Sequence, residues 1–82
     1  MGMKYIVWEL ISPYDGYGTT EHATWDEACA QVKRIVDESP RCKRNGGSIL
    51  YKNWLAGKID IIETGEVYLF VTSARLTGPL PE

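Results

Sequence analysis

Little in this chain is equipped for chemistry. It has one histidine, two cysteines and a formal net charge of only −2 over 82 residues. A single histidine, His22, leaves few ways to assemble a nucleophile with its base and orienting carboxylate. The two cysteines are too few and too irregularly spaced for a disulfide scaffold or a zinc motif, and no metal or other cofactor is expected. So small a net charge argues against generic nucleic-acid binding and against a strongly acidic DNA mimic. No apolar run approaches the roughly 20 residues needed to span a bilayer, so no membrane partner is expected. The N-terminus lacks a basic region followed by a long apolar stretch, and no signal peptide is expected. Met3 can serve as initiator, with Met1 and Gly2 as a cloning remnant.

What is present is a surplus of strand. Tyr5–Ile11 is β-branched and aromatic. Ile6, Trp8 and Leu10 share one face, and Tyr5, Val7, Glu9 and Ile11 share the other, as expected of a central strand. Ser12 to Gly18 is dense in turn residues, and Thr19 to Ala23 can return as a weaker second strand. Ile49–Leu55, Ile59–Thr64 and Val67–Leu76 read as three further strands, with turns at Ala56-Gly57-Lys58 and Gly65-Glu66. A two-residue Gly65-Glu66 hairpin would set Ile62 opposite Leu69 and Ile61 opposite Phe70. Residues 77–82 read as an extended tail.

One helix stands against these strands. Thr24 and Glu27 form the signature of a capping box, and Asp26 with Glu27 suits the positive end of a helix dipole. Trp25, Ala28, Cys29, Val32, Ile35 and Val36 recur at helical spacing, and Ser39-Pro40 ends the run. The expected class is α+β: a single domain with one helix on a four- to five-stranded, mostly antiparallel sheet, in the order β-β-α-β-β-β. One helix covers one sheet face. The other apolar face needs the Tyr14–Tyr17 hairpin, a second copy of the chain, or a partner.

Cys29 lies mid-helix and Cys42 beyond its end. From Cys29 to Glu38 the helix rises roughly 13 Å, which the stretch to Cys42 could just retrace if fully extended. A disulfide needs Cα atoms about 4.4–6.8 Å apart, so two free thiols are expected, consistent with a reducing cytosol. As a catalytic pair His22 and Cys29 are unconvincing: Glu21 points away from its strand neighbour His22, and Cys29 belongs to the apolar stripe. Asp15 to Thr20 lacks the ending of a phosphate loop. Glu9, Asp60 and Glu63 are strand carboxylates that nothing brings together.

The residues suited to recognition are aromatic and basic. Tyr14 and Tyr17 sit on a glycine loop, and Tyr51, Trp54 and Tyr68 add large contact area with a polar end. Lys33, Arg34, Arg41, Lys43 and Arg44 gather five of the nine basic residues around a helix C-terminus and the loop after it. Tyr14, Tyr17, Arg41, Lys43, Arg44, Tyr51 and Trp54 are the expected partner-binding set.

Gly18-Thr19-Thr20-Glu21-His22-Ala23-Thr24, leading into Trp25-Asp26-Glu27-Ala28 and Val32-Lys33-Arg34-Ile35, followed by strands from Gly47, resembles in layout the small phage-encoded anti-CRISPR proteins. These pack one helix on an antiparallel sheet, and some block a bacterial surveillance complex. The resemblance implies a non-enzymatic inhibitor in the host bacterial cytosol that occludes a CRISPR-Cas defence complex. Two other readings stand beside it: a nucleic-acid-linked regulator or antitoxin using the basic loop, and a small enzyme subunit.

Overall fold

The computed structural model describes residues 4–56, 60–61 and 65–80. Its elements run β1 (Tyr5–Ser12), β2 (Gly16–His22), α1 (Trp25–Glu38), α2 (Pro40–Arg44), α3 (Gly47–Ala56), β3 (Asp60–Ile61), β4 (Glu66–Val71) and β5 (Ala74–Pro79). The class is α+β. The sheet is antiparallel throughout, in the order β2-β1-β5-β4-β3, with β3 a two-residue edge.

The capped helix forms where its spacing places it. The Thr24 hydroxyl accepts the Glu27 amide at 3.2 Å, and Ala28, Cys29, Val32, Ile35 and Val36 are buried. Val32, Ile35 and Val36 each contribute roughly 1.5–3 kcal/mol on leaving water. Trp25 meets Tyr5 edge to face at 5.7 Å between ring centroids. Ser39 is extended, as a residue before proline should be. It ends α1 and then caps α2, its hydroxyl accepting the Cys42 amide at 3.4 Å.

The expectation of a single helix is corrected: there are three among the described residues. Arg41 to Arg44, read as loop, belongs to α2, with Pro40 at its first turn and Cys42 fully buried. Ile49–Leu55, read as a strand, lies in α3. That run is apolar enough for either period. The helix wins because Leu50, Tyr51 and Trp54 then fall on one side and pack against the core. Gly46, at φ +93, allows the tight entry from α2, and its carbonyl accepts the Ile49 and Leu50 amides.

The C-terminal strands are corrected too. Val67–Leu76 is not one strand but the hairpin β4–β5, turning at Thr72-Ser73 with Val71 opposite Ala74. The turn is held from outside: the Ser73 carbonyl accepts the Leu10 amide at 2.9 Å, and its buried hydroxyl lies 3.2 Å from that of Ser39. Thr77 to Pro79, read as tail, belong to β5, which is the middle strand between β1 and β4. The Gly65-Glu66 turn does not close a two-residue hairpin. Gly65, at φ +79, gives its carbonyl to the Leu80 amide and extends the β4–β5 ladder. Ile61 therefore sits opposite Val67 rather than Phe70. The expected Ile62–Leu69 pair, the turn at Gly57-Lys58, Ile59, Glu63 and the end of the tail lie outside the described residues.

All three helices contribute to the same side of the sheet. Tyr5, Val7, Val67, Leu69, Ala74 and Leu76 meet the α1 stripe, Cys42 and Trp54 in one core. Gly78 lies opposite Tyr5, and a side chain there would collide with the Tyr5 ring.

Candidate functional site

Strand alternation delivers the other half of each strand to the face without helices. Register fixes the rows: Thr19, Trp8, Arg75 and Phe70 lie across β2, β1, β5 and β4, and Glu21, Ile6, Thr77 and Tyr68 form the next row. Leu10 pairs with Tyr17. Trp8 is half-buried and donates its indole N–H to the Thr77 hydroxyl at 3.2 Å. Tyr17 and Phe70 remain 53% and 57% exposed. Exposed aromatics concentrated on one face mark an interaction surface better than scattered apolar residues do.

Arg75 stands at the centre. Its guanidinium carbon lies 4.6 Å from the Trp8 ring centre, 5.7 Å from Tyr17 and 5.9 Å from Phe70. Cation–π attraction of this kind contributes about 0.5–2 kcal/mol per contact, more as water is excluded. The Arg75 Nε is buried and has no hydrogen-bond partner among the described residues. No described carboxylate pairs with it, whereas Lys4, Lys33 and Arg34 pair with Glu21, Asp37 and Glu38.

The expected recognition residues divide. Tyr17 joins this face. Tyr14 projects from the tip of the β1–β2 hairpin, 97% exposed. The tip is ordered by Ser12, whose hydroxyl accepts the Tyr14 and Asp15 amides and donates to the Asp15 carboxylate. Trp54 is withdrawn from the surface: at 6% exposure it is core. Tyr51 is half-buried, stacks on Trp54 at 5.6 Å and donates to the Cys29 carbonyl at 3.3 Å. Both were expected at the surface because their segment was read as a strand, and the helix turns them inward.

Arg41, Lys43 and Arg44 are exposed in the last turn of α2, on the helix side of the sheet rather than on the open face. Arg41 and Arg44 line a cleft of about 460 Å³ with Glu9, Glu38, Ser39 and Ser73. Of its two carboxylates Glu38 already pairs with Arg34, and neither Arg41 nor Arg44 takes part in an ion pair among the described residues. Lys33 and Arg34 are neutralised along their own helix.

His22 lies 2.8 Å from the Thr20 hydroxyl. Cys29 and Cys42 are buried free thiols. Burial, reinforced by the nearby Asp26 carboxylate, pushes the Cys29 thiol up to about 11. Burial also raises the Tyr51 phenol, with smaller contributions from Cys29 and Asp37. Among the described residues no cluster of His, Cys, Asp and Glu could hold a metal, and no helix is long and apolar enough to cross a membrane.

Trp8, Phe70 and Arg75 were not among the expected site residues. A partial signal existed: a turn placed at Thr72-Ser73 sets Arg75 opposite Phe70, whereas its alignment with Trp8 depends on the β1–β5 pairing. Comparison with protein-family models, curated proteins and solved structures finds no match to this chain.

Proposed function

We propose that this chain is a non-enzymatic binding module that docks a protein partner on the open face of its sheet. The observation that carries the reading is the cluster of Trp8, Tyr17 and Phe70 around Arg75, on the face opposite the core that the three described helices share. Aromatic side chains and arginine are the residues that dominate protein–protein hot spots. The class of partner proposed is a bacterial CRISPR-Cas defence complex, on the part of the anti-CRISPR resemblance that the fold keeps, a hairpin leading into a capped helix on an antiparallel sheet; its single-helix layout is not kept. Steric occlusion supplies the mechanism, since a small rigid face needs no chemistry to block a larger assembly.

The exposed α2 cations support a second docking surface, for an acidic protein or a phosphate backbone. Affinity capture from bacterial lysate separates the two. A Tyr17→Ser, Phe70→Ser protein is expected to lose the captured partner, and an Arg41→Glu, Lys43→Glu, Arg44→Glu protein to keep it. The opposite pattern moves the site to α2, where binding should also weaken steeply with salt.

A further inference from the structure

Resting on the reading of the open face as the docking surface, we infer that this face recognises a carboxylate on a partner segment, with Arg75 as the anchoring cation. The donor geometry supplies the first reason. A guanidinium is planar: aromatic rings satisfy its faces, but its five N–H donors radiate in the plane and need acceptors. Trp8, Tyr17 and Phe70 surround Arg75 with rings, while its buried Nε has no hydrogen-bond partner among the described residues. The three ion pairs among the described residues lie on exposed sites, and none of them involves Arg75. Arg75 is a half-buried cation with no described counterion, and a carboxylate is the acceptor that fits its fork in two parallel bonds. The rings hold the fork in place before a partner arrives and exclude water around it, so less freedom is lost on binding.

Charge and size then choose the occupant. Of the described cations on this face, Lys4 is paired with Glu21, and Arg75 alone has no described counterion. One cation suits one carboxylate, whereas a phosphodiester backbone calls for a row of them. A second copy of the chain asks for more area than the face has. Four strands of six to eight residues, about 4.8 Å apart and rising about 3.3 Å per residue, give a footprint on the order of 400 Å². A stable interface usually takes about 800 Å² from each partner. The face fits a short segment bearing Asp or Glu beside apolar or aromatic residues. The carboxylate would meet Arg75, and the apolar neighbours would pack on Tyr17 and Phe70.

A displayed library of random 12-residue peptides, panned on the full chain, tests this. Selected peptides are expected to be enriched in Asp or Glu next to apolar residues. Replacing the peptide's acid by its amide should weaken binding by about tenfold or more, with no change to the protein. Arg75→Gln should cost the same against the acidic peptide and nothing further against the amide peptide. Peptides without acidic enrichment, or an unchanged affinity in the amide peptide, would overturn the carboxylate. The open face itself then stands or falls separately, on whether Tyr17→Ser, Phe70→Ser abolishes peptide binding. Failure to select any peptide also overturns the inference. So does an oligothymidylate probe that binds in an Arg75-dependent way, or a dimer by light scattering that Phe70→Ser dissociates.

Discussion

Gly78→Ala should be among the most damaging small changes in this protein, although it adds a single methyl group. Gly78 lies in β5 directly across from Tyr5 in β1. A Cβ at position 78 would lie 2.5 Å from Tyr5 Cδ1, 3.1 Å from Tyr5 Cγ and 3.1 Å from Tyr5 Cα. The ring cannot simply swing away, because it is buried and set edge to face against Trp25 at the start of α1. Relief requires the β1–β5 pair or the α1 contact to open. Overpacking of this kind costs about 1–3 kcal/mol. The ordinary effect of Gly→Ala has the opposite sign, about 0.4–1 kcal/mol of stabilisation through the unfolded chain, so the sign of the change is itself diagnostic. With a urea dependence of about 1 kcal/mol per M for so small a domain, the unfolding midpoint should fall by about 1–3 M. Gly18→Ala is the control. Its Cβ would meet only the far end of Ile11, at 3.3 Å, and Ile11 is exposed and free to turn, so little change is expected. In a Tyr5→Ala background the Gly78→Ala penalty should shrink, because the ring that causes it is gone. A Gly78→Ala midpoint equal to or above that of the native chain would refute the packing of Tyr5 over β5.

Two further outcomes are expected. Thr24→Ala removes the hydroxyl that accepts the Glu27 amide and should destabilise the fold by about 1 kcal/mol, lowering Tm by about 4–8 °C; an unchanged Tm would remove the cap from the account of α1. Cys29, with its thiol raised to about 11 against 9.0, should carry about 100-fold less thiolate at pH 8 than an ordinary cysteine, and label correspondingly slowly with a thiol reagent in the native state. Because the folded state holds that proton more tightly than the unfolded chain, the associated stability is intact below about pH 9 and is lost as pH rises towards about 11. The native chain should therefore lose stability over that interval more steeply than Cys29→Ala, and parallel losses would contradict the burial of the thiol.

What the sequence determined by itself was whatever short-range chemistry governs. The cap at Thr24, the stripe from Trp25 to Val36 and the stop at Ser39-Pro40 place α1 almost to the residue, because each signal acts within a turn or two of helix. Alternation along Tyr5–Ile11 places β1 and already shows two apolar faces, from which an uncovered sheet face follows. The tertiary structure decided everything that depends on a distant neighbour. Residues 49–55 suit a strand or a helix equally by pattern. Docking on α1, with Tyr51 on the Cys29 carbonyl and Trp54 in the core, selects the helix, withdraws Trp54 from the surface and leaves Tyr51 half-buried. The Thr72-Ser73 turn is held by Leu10 and Ser39, which no local pattern discloses. Arg75 acquires its aromatic neighbours only because β5 inserts between β1 and β4, bringing Trp8 and Phe70 to either side of it. Periodicity says which residues share a face of one strand. Which faces are brought together is settled by strand order, and strand order is a property of the whole core.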